Sequence, residues 1–264
     1  MPLHTSQIRF IPTDATASFQ ADTEGAIYYD DSESQLKHYG GDSWLRVNQT
    51  FNYDRPGDGE YDVDAFTKVL LHGNNNDTDA TGRHTITNTN VSYSTSEKKL
   101  GSHSFDLTGN SNKLIIGGNT DDWTFGTDDF TVDWWWKYAD YTSEQYFLSC
   151  HTTGGGFYFR KENSSNDISW QFSGIGTSAS TSDTTWGPDT DWHHWAVVRN
   201  GNSFKIYQDG GQVGSTSSSS SFGAAGTFYL GCEHGGNSQW ADAYLDEFRV
   251  SVGIARWTSG FTVY

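Results

Sequence analysis

Short runs of alternating apolar and polar residues recur from Lys68 towards the end of the chain, with turn-forming residues between them. They include KVLLHG, HTITNT, NKLIIGG, FTVDWWWKY, GFYFRK, HHWAVVR and AYLDEFRVS. About twelve such runs of strand length occur, and no stretch of roughly 12 residues has apolar positions at helical spacing. Because successive side chains of a strand point to opposite faces, this pattern predicts an all-β, two-sheet antiparallel sandwich.

The run FTVDWWWKY shows how alternation divides side chains between a core face and an outer face. One face is predicted to be core and carries Phe130, Val132, Trp134, Trp136 and Tyr138. The other face carries Thr131, Asp133, Trp135 and Lys137. A large ring among polar groups is typical of a sugar-binding platform and equally of an ordinary outer face, so Trp135 is a candidate glycan contact.

The region before Lys68 is organised differently. Three strand-like runs, Ala26–Tyr29, Gln35–Tyr39 and Trp44–Val47, are separated by turn residues and predict a small β-meander. Residues 1–23 show no periodicity and are interpreted as an arm that orders on a partner. We therefore divide the chain into an arm and meander for attachment (1–47), a polar linker (48–66) and the sandwich (67–264).

Composition and charge narrow the function classes. Aromatic residues make up 16% of the chain, which suits a core filled by large rings. A formal net charge of −17 argues against a nucleic-acid partner, whose phosphates need a basic face, and against an anionic membrane surface. No apolar stretch reaches the ~18 residues of a membrane span, and the N-terminus lacks the pattern of a secretory signal.

Cys150 and Cys232 are too few for a disulfide framework. We interpret them as two buried thiols that act as small apolar residues. A disulfide stays open as the alternative if their strands are neighbours.

The sandwich region resembles a known family in five stretches of sequence. They are KVLLHGNNNDTDATGRHTIT (68–87), KKLGSHSFDLTGNSNKLIIGG (98–118), DDFTVDWWWKY (128–138), DWHHWAVVRNGNSFKIYQDGGQVG (191–214) and AYLDEFRVSVGIARWTSGFT (243–262). In this order they are similar to laminin-G-like domains of the concanavalin A-like lectin/glucanase superfamily. The resemblance implies a jelly-roll sandwich, a fold that hosts lectins, enzymes, adhesion modules and spacers.

The meander has a resemblance of its own. GAIYYDDSESQLKHYGGDSWLRV is similar to a short β-motif of tail-fibre and other appendage proteins of bacteriophages. It implies a virion structural protein (a tail fibre, an appendage or a capsid decoration) that is made in the host cytoplasm and displayed on the virion surface. Residues 1–47 would bind other virion proteins, and the sandwich would bind surface glycans. We expect a homo-oligomer, which is a trimer if the protein is a fibre. The alternatives are a structural cement or spacer without ligand and, in another class, a polysaccharide-acting enzyme.

His193 and His194 are adjacent in DWHHWAVV, which raises the question of a metal or catalytic site. Neighbouring residues of a strand point to opposite faces, so the two imidazoles are not expected to chelate one metal. We interpret them as scaffold, with one ring packed and hydrogen-bonded inside and the other partly outside. Asp191, at the strand entry, is interpreted as a turn residue.

No catalytic residues are predicted, and the chain is expected not to be an enzyme. Glycoside hydrolysis needs two carboxyl groups roughly 5–9.5 Å apart on one face. Asp246 and Glu247 are adjacent and are expected on opposite faces of their strand, while Glu144 and Glu162 stand alone in the sequence. Nucleophile elbows and phosphate loops are absent from the sequence.

The loop GNNNDTDATG (73–82) is dense in the carboxylate and amide oxygens that calcium prefers. In the family that the sandwich resembles, this loop and the Asp-Glu pair near the C-terminus often hold a structural calcium. The resemblance therefore implies Asn75, Asp79 and Asp246 as metal ligands. An Asn- and Asp-rich loop is also simply a good turn, and that alternative stays open.

Glycan sites combine aromatic faces with a few polar side chains. Besides Trp135, the predicted loops supply six candidates: His151, Trp186, His234, Asn237, Gln239 and Trp240. The segment CEHGGNSQW is the most suggestive, because glycine and polar residues surround one ring. The alternative for this segment is an ordinary surface loop.

Overall fold

The computed structural model describes residues 27–30, 35–39, 44–46, 60–152, 155–163, 167–173, 177–180, 188–222, 226–233, 235 and 238–263. The chain forms two units, residues 1–53 and 54–264. The first contains an antiparallel three-stranded sheet whose strands are β1 (Ile27–Asp30), β2 (Gln35–Tyr39) and β3 (Trp44–Arg46), in that order. The runs predicted as a meander thus form strands, each end within one residue of its predicted position.

Two antiparallel sheets make up the second unit. The first has seven strands: β5 (His84–Thr89), β8 (Lys113–Gly118), β10 (Gln145–Thr152), β11 (Gly155–Lys161), β12 (Ile168–Ser173), β13 (Thr177–Ser180) and β17 (Phe228–Leu230). Their spatial order is β13-β12-β11-β10-β17-β8-β5.

The second sheet has eight strands: β4 (Thr67–Leu71), β6 (Ser92–Ser94), β7 (Ser104–Asp106), β9 (Phe130–Tyr138), β14 (His193–Asn200), β15 (Ser203–Gln208), β16 (Gly211–Ser217) and β18 (Ala243–Val252). Their order is β16-β15-β14-β9-β18-β7-β6, and β4 pairs with β18 beside β7. A short 3-10 helix, Thr120–Trp123, lies between β8 and β9 in the chain. The predicted two-sheet antiparallel sandwich is confirmed.

The main core lies between the two sheets and is rich in aromatic rings. All five residues predicted as the core face of β9 are at most 3% exposed. From the opposite sheet, Phe157 and Trp170 stack with ring centroids 5.2 Å apart, and Phe159 meets Trp134 edge to face at 4.9 Å. Burying each such side chain contributes roughly 1.5–3 kcal/mol. The core face read from alternation is therefore confirmed.

A second apolar layer covers the outer face of the eight-stranded sheet. Tyr61, Leu70 and Trp135 form one buried cluster there, and Val263 of the C-terminal segment packs against it. Trp135 is 4% exposed, and the Lys99 ammonium lies 4.1 Å from its ring centroid. Of the two interpretations of this face, the open sugar platform is therefore not observed at Trp135, because segments before β4 and after β18 fold over it. The last residues of the predicted linker thus belong to the sandwich unit.

An ion pair lies beneath this layer and joins β9 to β18. Arg249 donates through Nε and Nη2 to the two carboxylate oxygens of Asp133, at 3.0 and 2.7 Å, and both side chains are fully buried. Burial raises the pKa of Asp133, but Arg249 and His194 outweigh this effect and hold the pKa at about 2. The Arg249 guanidinium lies 4.0 Å from the Tyr61 ring centroid. Tyr61 therefore helps to seal a charged pair from water.

A β-bulge in β18 changes the face on which its carboxylates lie. Asp246 pairs with Trp135 and Arg249 pairs with Asp133, so Glu247 and Phe248 together oppose a single residue of β9. Glu247 has a φ of +50°, and bulges bend a strand and re-aim its side chains. Phe248 enters the main core, whereas Asp246 and Glu247 both bond to segments on the outer side. The expectation that the two carboxylates point to opposite faces is therefore wrong.

Cys150 and Cys232 are buried and do not form a disulfide, which agrees with their interpretation as small apolar residues. Burial raises the pKa of each thiol to about 12. In the described ranges, the chain contains no helix with the length and apolar character to span a membrane.

Candidate functional site

His193 and His194 point to opposite faces of β14, as alternation predicts. His193 is half-buried, with Nδ1 2.6 Å from Asp209 and Nε2 3.0 Å from Asp189. Burial lowers the pKa of His193, but the hydrogen bonds and charges of these carboxylates outweigh it and raise the pKa overall. Asp191 is exposed at the turn before β14, where its N–H donates to Asp189.

His194 is 1% exposed and sits among aromatic rings on the outer side of the eight-stranded sheet. Its ring lies 5.4 Å from Trp135 and 5.5 Å from Trp257, edge to face in both cases. Among the described residues neither ring nitrogen has a hydrogen-bond partner, and Asp133 Oδ2 is 3.6 Å from Nε2. The internal hydrogen bond expected for this imidazole is therefore not formed among the described residues. The two histidines do not form a joint metal site.

The predicted glycan residues fall in different parts of the structure. Trp186, His234 and Asn237 lie outside the described residues. The backbone of His151 pairs with Gly156 of β11, so His151 lies within strand β10 and its predicted place in a loop is wrong. Trp240 is half-buried, with the Lys113 ammonium 5.2 Å from its ring centroid. Gln239 is also half-buried, and its side-chain amide donates to Glu144.

Of the predicted calcium ligands, Asp79 is fully engaged in shaping its own loop. Its carboxylate accepts the backbone N–H groups of Leu70, Thr81, Arg83 and His84 at 3.0–3.2 Å, together with the Thr81 hydroxyl at 2.6 Å. Such bonds explain why a 3%-exposed carboxylate is stable at this turn. Asn75 is exposed in the same loop and has a φ of +57°.

Asp246, the third predicted ligand, lies on the other side of β4. Leu71 of β4 pairs with Phe248 of β18 along one edge and with Asp79 along the other. Two strand spacings, about 10 Å, therefore separate the Asp79 backbone from β18, whereas calcium ligands lie at about 2.3–2.6 Å from the ion. Asp246 accepts the N–H groups of Lys99 and Leu100 at 2.9 and 3.0 Å. The structure therefore does not assemble these three residues around one point.

A different group of three residues offers metal-ligand atoms close together. Ligand atoms of Glu60, His72 and Glu247 all lie within 4.8 Å of one another, and this is the one such group found in the described part of the chain. His72 Nδ1 is 2.8 and 3.0 Å from the Glu247 oxygens, and Glu247 also accepts the Tyr61 N–H at 2.9 Å. An imidazole in the donor set suits zinc rather than calcium. Within this group His72 and Glu247 form an ion pair, and the bond from the Tyr61 N–H to Glu247 holds the segment before β4.

The outward face of the seven-stranded sheet carries the residues best arranged for a ligand. Register pairs Ser149 of β10 with Tyr158 of β11 and with Tyr229 of β17, and Tyr158 in turn pairs with Gln171 of β12. These four side chains therefore form a row across neighbouring strands, about 14 Å long. In the next row Arg160 lies opposite Tyr146.

Arg160 organises this face, and we call the surrounding group the Arg160 platform: Glu144, Tyr146, Tyr158, Arg160 and Glu162. Its guanidinium donates to Glu162 through Nε at 3.1 Å and lies 2.9 Å from the second Glu162 oxygen through Nη2. Through Nη1 it donates to Glu144 Oε1 at 2.6 Å and to the Tyr146 hydroxyl at 2.9 Å. One cation thus joins two carboxylates that the sequence analysis treated as solitary.

The platform combines rings with partly exposed polar groups. The Tyr146 and Tyr158 ring centroids are 5.3 Å apart, and the Arg160 guanidinium lies 5.6 and 5.1 Å from them. Tyr146 is 4% exposed, and its burial raises its pKa to about 12. Tyr158 is half-buried, and the side chains of Glu144, Arg160 and Glu162 are 18%, 22% and 28% exposed. Gln239 Nε2 donates to Glu144 Oε2 at 2.7 Å and brings one predicted glycan residue to its edge.

Sequence reasoning missed the platform because two of its features depend on pairing. Alternation alone places Tyr158 and Arg160 on one face of GFYFRK, and this signal was available. The place of Tyr146 depends on a bulge in β10, where the register shifts between Tyr146 and Leu148. The junction of Glu144 and Glu162 at one guanidinium depends on the antiparallel pairing of β10 with β11.

This arrangement suits the recognition of hydroxyl groups on a ring-shaped ligand. Carboxylate and amide oxygens accept hydrogen bonds from hydroxyls, and aromatic rings offer apolar faces. Hydrolysis of a glycoside would instead need one carboxyl group as proton donor and the other free to act on water or sugar. In the platform, Glu144 and Glu162 both bond to Arg160.

Comparisons with known proteins agree with this architecture. Residues 108–253 match the family model described as "Concanavalin A-like lectin/glucanases superfamily". A comparison with curated protein sequences gives no match.

Several solved structures have a similar fold. The binding domain of botulinum neurotoxin serotype D superposes with a TM-score of 0.54 at 15% identity, over 70% of this chain and 48% of that one. For the binding domain of Paraclostridial Mosquitocidal Protein 1 the TM-score is 0.56 at 14% identity, over 75% and 50% of the two chains. For domain 4 of AbnA, a GH43 extracellular arabinanase from Geobacillus stearothermophilus, in complex with arabinotriose, it is 0.58 at 17% identity, over 72% and 94%. The chain spans about half the length of the two toxin structures, and identities this low establish the fold alone.

Proposed function

The chain belongs to the concanavalin A-like lectin/glucanases superfamily, and on that premise we propose that it is a non-catalytic carbohydrate-binding protein of a bacteriophage virion. Its sandwich binds surface glycans of the host or the environment through the Arg160 platform. Residues 1–47 attach it to other virion proteins of a tail fibre, an appendage or the capsid.

The observation that carries the glycan proposal is the composition of the platform. Two tyrosine rings, one guanidinium and two carboxylates lie together on an outward sheet face, and the side chains of Tyr158, Arg160 and Glu162 are partly exposed there. Single contacts of this kind bind weakly. Display in many copies on one particle would raise the avidity by roughly 10²–10⁴.

The comparisons add support by fold. Two of the solved neighbours are binding domains by title, and AbnA domain 4 is in complex with arabinotriose. The bond of both platform carboxylates to Arg160 supports the non-catalytic part of the proposal. The resemblance of the meander sequence to appendage proteins of phages supports the virion part.

A binding screen with matched variants tests the glycan proposal. The wild-type full chain and its Tyr158→Ala variant, each displayed on a multivalent scaffold, are screened against arrayed glycans. We expect a loss of about three- to ten-fold in binding, because a ring contact contributes about 0.5–1.5 kcal/mol. Tyr244→Ala is the control, since Tyr244 is also half-buried but lies on the other sheet and is expected to leave binding unchanged.

Two outcomes would contradict the proposal. If the wild-type chain binds no glycan in multivalent form, the cement or spacer alternative becomes the better description. If the chain releases reducing ends from a polysaccharide and Glu144→Gln or Glu162→Gln abolishes this, the protein is an enzyme.

Attachment and copy number need their own measurements. In particles of the phage that encodes the chain, we expect mass spectrometry to find it in fixed stoichiometry with the other virion proteins. Light scattering of the purified chain is expected to give a homo-oligomer, with three copies for a fibre. Absence from the particles would overturn the virion part and leave the glycan part untouched.

A further inference from the structure

We propose that the Arg160 platform selects neutral glycans over acidic ones and that Glu162 sets this selectivity by occupying Arg160. The inference rests on the proposed function, since it names the ligand class of the same site. It goes further by assigning a specificity role to one carboxylate.

The Arg160 guanidinium is already occupied by other groups of the platform. Arginine captures a carboxylate or sulfate best through two parallel N–H donors that form a fork. In the platform, Glu162 already takes such a fork, through Nε at 3.1 Å and Nη2 at 2.9 Å. Glu144 and the Tyr146 hydroxyl take Nη1 at 2.6 and 2.9 Å. Of the five N–H donors of an arginine, four are therefore used within the platform, and the remaining one cannot form a fork.

Carboxylates outnumber cations in the platform. Glu144 and Glu162 oppose the single charge of Arg160, and Glu233 is close enough for its charge to add to the effect of burial on the pKa of Tyr146. Lys161 is 1% exposed, and its ammonium donates to the carbonyls of Ser143 and Glu162, so it does not face a ligand. An acidic glycan would thus meet more carboxylates than free cations. Placing like charges next to one another in an interface disfavours binding.

The platform offers a neutral sugar hydrogen-bonding groups and a ring face. Hydroxyl groups of a sugar donate to carboxylate oxygens and exchange hydrogen bonds with amides. Gln171 and Gln239 flank the platform from β12 and from the segment before β18, and both are half-buried. Tyr158 supplies a partly exposed ring beside them. A neutral sugar can therefore use every exposed group without leaving a charge unpaired.

The experiment compares sugars that differ in one group. The probes are neutral hexose oligosaccharides and the same oligosaccharides oxidised at C6 to uronates, tested at one ionic strength against the full chain in multivalent form. We expect the wild-type chain to bind the neutral member of the best pair more tightly. In Glu162→Gln the fork is weakened and a negative charge is removed, so we expect the acidic-to-neutral affinity ratio to rise roughly 10- to 100-fold.

A matched variant separates charge from local packing. Ser169 donates to Glu162 at 2.7 Å, so Ser169→Ala disturbs the same carboxylate but keeps its charge, and we expect its ratio to equal that of the wild type. Circular dichroism and thermal melting verify that each variant folds. Equal or tighter wild-type binding of uronates overturns the selectivity while glycan binding stands. A ratio that does not change in Glu162→Gln overturns the role of Glu162. Failure of both sugar classes to bind instead overturns the proposed function itself.

Discussion

Asp246→Asn is expected to flatten the pH dependence of stability. Asp246 is fully buried, and its burial raises its pKa to about 8, against about 3.9 for an aspartate in an unfolded chain. Between these two values the folded state binds one proton more than the unfolded state. The free energy of unfolding contributed by this group is therefore complete below about pH 4 and falls as the pH rises towards 8, by about 1.4 kcal/mol per pH unit. Across the whole interval the ceiling is roughly 6 kcal/mol.

Asparagine keeps the shape of the protonated side chain but does not titrate. Its carbonyl oxygen can accept the two N–H groups that Asp246 Oδ2 accepts from Lys99 and Leu100. The difference in slope is measured between pH 4.5 and 6, where other shifted groups interfere least. The pKa values of His72 and His193 are raised above about 6.5, so the stability that these imidazoles contribute is lost only at higher pH. The pKa of Asp133 is about 2, which lies below the window. Glu247, whose pKa burial also raises, titrates in both proteins and is coupled by its charge to Asp246, so the difference in slope reports the Asp246–Glu247 pair.

The assay is urea unfolding followed by tryptophan fluorescence at constant ionic strength. In this window, the wild type is expected to lose about 1.4 kcal/mol per pH unit more than Asp246→Asn. Equal slopes for the two proteins would refute the reasoning that burial keeps the carboxyl protonated. Repeating the measurement at pH 7.5 with calcium or EDTA tests the predicted ligand role, because an ionised, calcium-bound Asp246 would make calcium stabilise the wild type and not the variant.

Three further predictions concern the layers on which the site depends. Asp133→Asn leaves the Arg249 guanidinium buried beside an uncharged amide, so we expect a loss of about 3–5 kcal/mol in the free energy of unfolding, measured with urea. Gly210→Ala places a Cβ in steric clash with the Phe261 carbonyl oxygen at a φ of +78°, so we expect the C-terminal segment to be displaced and the Tm to fall by several degrees. Gly201→Ala is the control for backbone strain alone, because its φ is +58° and the space around its Cβ is open. The thiols of Cys150 and Cys232 are buried, and the pKa of each is about 12. We therefore expect a thiol reagent at pH 8 to label them only as fast as the chain unfolds. Rapid labelling in buffer would contradict their burial.

Local alternation was sufficient for the strands and the core. The faces of β9 and the opposite orientation of His193 and His194 follow from it, because the direction of a side chain in a regular strand depends only on its parity. The three runs of the meander could also be placed, since turn residues mark their ends. These features need no knowledge of which strands are neighbours.

The expectations that local patterns could not decide concern places where distant segments meet. Trp135 was a candidate glycan contact on a face that could equally be ordinary, and Tyr61 and the C-terminal segment cover its ring. Asp246 and Glu247 were assigned to opposite faces, but a bulge turns both outwards. The calcium ligands were taken from a loop and a strand that β4 separates.

The sequence by itself therefore determined the all-β class, the strand order along the chain and the family, because these depend on short-range patterns. Only the tertiary structure decided which face of each sheet stays open and where carboxylates, rings and cations meet. Glu144 and Glu162 are 18 positions apart in the sequence and meet at Arg160 only because β10 pairs with β11 in a register that includes a bulge. Register and coverage are set by the packing of the whole chain, and no local pattern records them.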